Sequence, residues 1–262
     1  MAEQQIRFED GAAYERVMGT WSRLAGDIFL DWVDPPTGLR WIDVGCGNGA
    51  FTQLIVDRCA PAQVQGIDPS EAQLAFARAR SAGRMAEFRQ GDAMRLPFSD
   101  DSFDAAVMAL VIFFMPDPIK GVAEMVRVTC PGGTVASYAW DMLGGGFPLE
   151  PIHAEMRAIG IEPALAPNVG ASRMEALETL WTGAGLDEVG ICEIKVQRTF
   201  ADFDDFWKNT LASPSLASTV AAMAPRDVEN LKTRVSARLP ADAAGRISYE
   251  ARANAISGRV RN

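Results

Sequence analysis

The feature that most constrains this chain is the regular alternation of apolar strands and amphipathic helices between residues 40 and 140. The segments "RWIDVG" (40–45), "AQVQGID" (62–68), "AEFRQGD" (86–92), "FDAAVMAL" (103–110) and "TVASYAW" (134–140) read as strands. Between them, "AFTQLIVDRCA" (50–60), "SEAQLAFARARSA" (70–82) and "IKGVAEMVRVT" (119–129) carry apolar residues at helical spacing. Ser70 is an N-cap candidate, and "PGG" (131–133) reads as a turn before the fifth strand. Strands that are apolar on both faces and alternate with helices predict a mostly parallel sheet covered on both sides.

The flanks have other patterns. Tyr14, Val17, Met18, Trp21, Leu24, Ala25, Ile28, Phe29 and Trp32 give residues 12–32 a helical stripe, which Gly19 and Gly26 would divide into two helices and "DPPTG" (34–38) would end. After residue 140 the alternation stops. A glycine- and proline-rich loop (141–151) leads into a stretch, 152–183, that reads as largely helical. A long strand follows at 189–200, then helices in "DFDDFWKNTL" and "PRDVENLKTRVSARL", and a last strand at 245–256 expected to pair with 189–200. The fold class predicted is α/β: a doubly wound, mostly parallel seven-stranded sheet with an antiparallel last pair. It carries an N-terminal helical cap (1–36) and an insertion after strand five. Residues 1–262 are expected to form a single domain.

Bulk properties exclude several classes. The formal net charge of −9 disfavours a nucleic-acid partner, because an acidic surface repels phosphate backbones. The apolar run from Ala105 to Met115 is too short to span a bilayer, and the polar, acidic "MAEQQIRFED" is unlike a secretory signal. Four cysteines without a CxxC pair, and one histidine, argue against a structural metal site or a disulfide framework, so the expected setting is reducing and cytoplasmic.

The chemistry concentrates at four strand ends. In "WIDVGCGNGAF" (41–51), Gly45, Gly47 and Gly49 allow a sharp turn and a close ligand approach, while Asp43 places a carboxylate on a buried strand. Asp68, ending the second strand, suits a pair of ribose hydroxyls, or else a charge at a helix N-terminus. In "GDAMRLPF" (91–98), Asp92 and the N–H of Ala93 suit the edge of an adenine with Met94 on the ring face; the alternative is an Asx turn. Ala109 and Leu110, ending the fourth strand, border any ligand in the crevice, and Phe113 and Phe114 form an aromatic rim or part of the core.

Taken together and in order, "IDVGCGNGAF", "GIDPS", "GDAMRLPF", "DDSFDAAV" and "MVRVTCPGG" resemble the Rossmann-like (class I) methyltransferases that use S-adenosylmethionine. The resemblance covers about residues 40–140. It is closest to the small-molecule group that includes the quinone-biosynthesis (type 11) enzymes. It implies residues 37–140 as a cofactor-binding half and 141–262 as a substrate-side cap with C-terminal strands. It implies that Asp43, Gly45, Cys46 and Gly47 line the methionine part of the cofactor, that Asp68 binds the ribose beside Pro69, and that Asp92 and Ala93 hold the adenine. The product would be S-adenosylhomocysteine, with no metal and a small-molecule acceptor. The ligand's own charge supports this assignment: it has no phosphates and carries an ammonium and a sulfonium, so Asp43 suits it better than it suits a pyrophosphate.

Where many quinone-type members carry a histidine after strand four, this chain has Phe113, which argues against histidine-assisted chemistry there. Candidate bases are His153, Tyr138, Asp141 and Tyr14, each with a structural alternative. Phe113 and Tyr138 are candidates for the acceptor pocket, and Tyr14 and Trp21 for closing the site. Two competing readings stay open: a non-catalytic S-adenosylmethionine-binding module, and an NAD-dependent oxidoreductase, since "GCGNGA" also fits a loose dinucleotide pattern.

Overall fold

The computed structural model describes residues 18–80 and 85–262. Its strands are β1 (Arg40–Val44), β2 (Gln63–Asp68), β3 (Ala86–Gln90), β4 (Phe103–Ala109), β5 (Thr129–Trp140), β6 (Asp187–Phe200) and β7 (Ile247–Arg259). They form one sheet in the order β3-β2-β1-β4-β5-β7-β6. The first five strands pair in parallel, and β7 runs antiparallel to both β5 and β6. Asp43 lies beside Gly66 of β2 and Val107 of β4, and Ala109 lies beside Tyr138 of β5. The strand order reverses between β1 and β4. Chain connections leave in opposite directions there, so a crevice opens beyond the C-terminal ends of those two strands.

The helices are α1 (Thr20–Val33), α2 (Ala50–Cys59), α3 (Glu71–Ala79), α4 (Pro118–Val128), α5 (Glu150–Ala158), α6 (Met174–Gly183), α7 (Phe203–Leu211), α8 (Pro214–Ala221) and α9 (Pro225–Arg238). Local chemistry sets several ends. Ser70 Oγ accepts from Gln73 N at the start of α3, Asp117 accepts from Lys120 N with Pro118 in the first turn of α4, and Asp202 accepts from Asp205 N at α7. The helices α1 and α2 pack together on one face of the sheet, and α4 and α6 on the other. Trp181 of α6 is fully buried and donates its indole N–H to the carbonyl of Val135 (2.9 Å). On the opposite face the ring of Tyr138 lies 4.7 Å from Phe29 and 5.6 Å from Phe51.

Several expectations are corrected. Gly26 lies inside α1, which is undivided over Thr20–Val33. Gly26 is needed for packing there: a Cβ would come within 2.7 Å of Leu54 and 3.2 Å of the Tyr138 hydroxyl. The "PGG" sequence is no separate turn. It bends β5 in mid-strand, with Gly132 at φ +74 and paired to Val260, because Pro131 lacks a donor and a regular ladder cannot pass it. Residues 152–183 are not continuously helical: Gly160 (φ +83), Pro163 and Pro167 break the stretch between α5 and α6. The last strand runs to Arg259, and α8 is an additional helix, built largely of small residues that carry little periodic signal.

Strand β2 reaches the site through Gly66. A Cβ at this position would meet Phe88 at 2.6 Å and Cys46 Sγ at 2.9 Å. Replacement by alanine therefore overpacks the joint between β2, β3 and the loop after β1. We expect Gly66→Ala to destabilise the protein by about 1–3 kcal/mol, read as a lower urea midpoint at unchanged m-value.

Candidate functional site

Beyond Val44 the chain turns through Gly45 (φ +76) and Gly47 (φ +52). These two glycines are required for different reasons. A Cβ on Gly45 would strike both γ-carbons of Val111 at 2.6 Å, whereas at Gly47 it would meet no protein atom within 4 Å, because that residue faces open space. The amides of Gly45 and Cys46 both donate to the carbonyl of Ile67 (2.7 and 3.0 Å), so the loop folds across the end of β2. Gly49 then caps α2.

Three carboxylates sit at this edge. Asp43 is 0% exposed. Its Oδ2 accepts from Thr52 Oγ1 of α2 at 2.6 Å, while its Oδ1 has no hydrogen-bond partner. Burial pushes its pKa up to about 7; the Thr52 hydrogen bond opposes the rise and the nearby Asp68 adds to it. Asp68 accepts from Gly47 N with Oδ2 and from Ser70 N with Oδ1, both at 2.9 Å. Burial raises its pKa too, and those two N–H groups counter the rise. Asp92 accepts from Met94 N with Oδ1 at 2.9 Å, which makes the Asx turn, and its carbonyl accepts from Arg95 N.

These groups border a cavity of about 550 Å³. Strand ends supply its floor: Asp43, Gly45, Cys46 and Gly47 after β1, Asp68 and Pro69 after β2, Asp92, Ala93 and Met94 after β3, and Ala109 and Leu110 after β4. Sequence reasoning did not anticipate Ser22 of α1, Phe51 of α2, Gln73 of α3, Val111, Met115, Pro116 or Pro167, which also line it. Helical phase and loop docking, which set these positions, leave no local signature. No lysine, arginine or histidine lies among its described lining residues. Leu110 adopts φ +62, unusual for a residue with a side chain, and its N–H donates to the carbonyl of Tyr138 (2.8 Å). That left-handed step turns the chain into the short 3₁₀ segment Ile112–Phe114.

Several candidates lie elsewhere. Phe113 is 3% exposed and packs inward; its neighbour Phe114 lines the cavity. Trp21 packs on Tyr249 (5.0 Å between ring centroids) and stays behind the wall, which Ser22 reaches instead. Tyr14 lies outside the described residues. His153 is buried beside Phe147 and away from the cavity; desolvation, with Arg157 nearby, lowers its pKa to about 4 and keeps it neutral. Asp141 is engaged by the Arg252 guanidinium (3.0 Å) and the Gly144 amide (2.9 Å), also outside the cavity. Tyr138 lines it. Among the described residues no group of three or more His, Cys, Asp or Glu side chains could hold a metal ion, and no helix is long and apolar enough to cross a membrane.

The roof joins two distant segments. Asn168 donates its side-chain amide to the carbonyls of Met115 and Pro116 and its backbone N–H to the carbonyl of Phe113 (3.0 Å), which seats Pro167 beside Phe114 and Met115.

The sheet order, the switch-point crevice and the glycine loop with its acidic strand end give the Rossmann-like methyltransferase fold. Residues 42–137 match the methyltransferase domain family, and this part of the chain is a methyltransferase domain of the class I type. It is 40% identical over 110 residues to demethylmenaquinone methyltransferase of Desulfitobacterium hafniense, covering 40% of this chain and 44% of that one. It is 43% identical over 123 residues to 2-methyl-6-phytyl-1,4-hydroquinone methyltransferase 2, chloroplastic, of Oryza sativa, covering 46% and 35%. The chain thus spans less than half the length of these two curated relatives. Among solved structures, its fold is similar to phosphoethanolamine N-methyltransferase 2 of Haemonchus contortus in complex with S-adenosyl-L-methionine. The TM-score is 0.58 at 18% identity, covering 95% of this chain and 56% of that one.

Asn168→Ala removes the amide that holds the roof. Amide hydrogen exchange across residues 111–116 is expected to accelerate by about tenfold, as two carbonyl contacts worth roughly 0.5–1.5 kcal/mol each are lost, while exchange in β1 and β2 stays unchanged.

Proposed function

We propose that the protein transfers the methyl group of S-adenosylmethionine to a small, uncharged organic acceptor. The observation that carries this reading is Asp43 Oδ1, a buried carboxylate oxygen without a partner at the wall of a cavity whose described lining includes no cationic side chain. A buried carboxylate needs a positive partner, and the cofactor's ammonium is one. The rest of the wall fits the same molecule. Gly47 leaves open space where a side chain would stand. Asp68, oriented by two backbone N–H groups, keeps lone pairs for the ribose hydroxyls. Asp92, Ala93 and Met94 suit the adenine. A dinucleotide fits poorly, since its pyrophosphate would lie beside Asp43 and Asp68 with no compensating cation.

When bound, S-adenosylmethionine would supply an electrophilic methyl group, the departing thioether keeping the electron pair of the C–S bond. The protein's own work is then alignment and exclusion of water. Phe114, Met115, Pro116, Pro167 and Tyr138 give the acceptor end an apolar surface without an acidic or cationic side chain. That surface suits an apolar ring, and the two curated relatives bear the names of quinone and hydroquinone methyltransferases. With His153 and Asp141 placed outside the cavity, we assign no general base.

Titration calorimetry with S-adenosylhomocysteine tests the cofactor half of this reading. Binding is expected, and Asp68→Ala should weaken it roughly ten- to hundredfold, the worth of charge-assisted hydrogen bonds. NAD binding with no S-adenosylhomocysteine binding would overturn it. Methyl transfer should then appear with hydroquinones and phenols and be absent with carboxylates and phosphate esters. Binding with no turnover on any acceptor of such a panel would favour a non-catalytic binding module.

A further inference from the structure

We infer that Asp43 exchanges a proton for the cofactor: it holds one in the free protein and gives it up when an ammonium group meets Oδ1, so that capture of the cofactor releases about one proton. This rests on the cofactor reading above.

The geometry leaves the carboxylate little choice. Asp43 is fully buried between Gly66 of β2 and Val107 of β4. Among the described residues its polar support comes from Thr52 of α2 alone, whose neutral hydroxyl donates at 2.6 Å and whose backbone N–H also favours the ionised form. The charged and titratable groups around it give no relief. From β2 comes Asp68, a second carboxylate that opposes ionisation. From the glycine loop comes Cys46, whose thiol is held neutral by its own burial and by both carboxylates. The same cavity is lined by the phenol of Tyr138 of β5, by Ser22 of α1 and by Ala109 and Leu110 at the end of β4, none of them cationic. From α3 comes Gln73; the Arg78 guanidinium of the same helix is turned to Glu71 and the carbonyl of Phe88. An ionised carboxylate there lacks both water and a counter-charge, so the neutral acid is preferred.

The direction of the linkage follows. Burial lifts Asp43 to about 7, above the ordinary carboxylate range of about 4. A raised folded-state pKa contributes stability that is fully present below the unfolded value and is lost as pH rises through the folded one. In the free protein, that loss runs from about pH 4 to about pH 7. A bound cation reverses the preference, so ligand affinity should climb through this window and level off above it.

Calorimetry on the unmodified protein decides the matter. S-adenosylhomocysteine is titrated at pH 6.5 in phosphate and in imidazole buffers, whose ionisation heats differ widely. The expected difference corresponds to release of about 0.7–0.8 proton, and affinity should fall about tenfold from pH 8 to pH 6. In Asp43→Asn, with folding verified by circular dichroism, the buffer dependence should vanish and the affinity should become flat with pH. Equal heats in the two buffers, with flat affinity in the unmodified protein, would overturn the inference and leave the cofactor reading intact. Persistent proton release in Asp43→Asn would also overturn it, since the proton would then come from another group such as Asp68. Absence of S-adenosylhomocysteine binding at every pH would overturn the cofactor reading and this inference together.

Discussion

The site depends on how a turn with glycine at every second position is held open. The loop after β1 is anchored where Gly45 and Cys46 donate to one carbonyl, that of Ile67, and where Gly47 donates to Asp68. These contacts tie the ends of β1 and β2 together and leave the outer face of Gly47 uncovered. They also fix the Asp68 carboxylate, so the group proposed to recognise the ribose is itself part of the structural joint. The loop bends sharply enough to clear Val111 only because Gly45 lacks a Cβ. If the joint loosened, floor and wall would both lose their shape.

A carboxylate on a central strand is costly in a protein of this size. The strand neighbours of Asp43, Gly66 and Val107, ask for nothing polar, and among its described surroundings it is the buried hydroxyl of Thr52 that would lose an acceptor if the carboxylate were replaced. Among the described residues its partner is Thr52, through a neutral hydroxyl and a backbone N–H. The fold carries this burden at the one place where the strand order reverses and a cavity comes within reach. That placement is why the residue informs on ligand charge, whereas the surrounding glycines inform only on backbone shape.

Much of the first half was legible in the sequence because period, caps and punctuation agree there. The strands at 40–44, 63–68 and 103–109 are bounded by glycine, proline and aspartate and fall within a residue or two of expectation. The strand-end residues converge because a parallel sheet brings successive C-terminal ends to one edge. What failed did so for local reasons. A single 3₁₀ turn decides whether Phe113 or Phe114 faces the cavity. Strand parity does send Tyr138 to the cavity side, but the chain has left the strand by Asp141, which Arg252 then claims. The rotation of α1 puts Ser22 at the wall and Trp21 behind it. The part played by Pro167 and Asn168 arises from a docking contact between segments some fifty residues apart, which no local pattern records.

That docking contact separates two jobs along the chain. The wall proposed for the cofactor is drawn mainly from residues 43–110, while part of the roof over the proposed acceptor end comes from the irregular stretch between α5 and α6. This stretch carries no sheet ladder and no long helix, so it can accept insertions, deletions and new side chains without disturbing β1 or its turn. An ancestral chain of this design could therefore change the molecules it accepts by rewriting about fifteen residues of loop, with the methyl-donor half inherited intact. Divergence among such proteins should be sought first in that loop and last in the glycine turn.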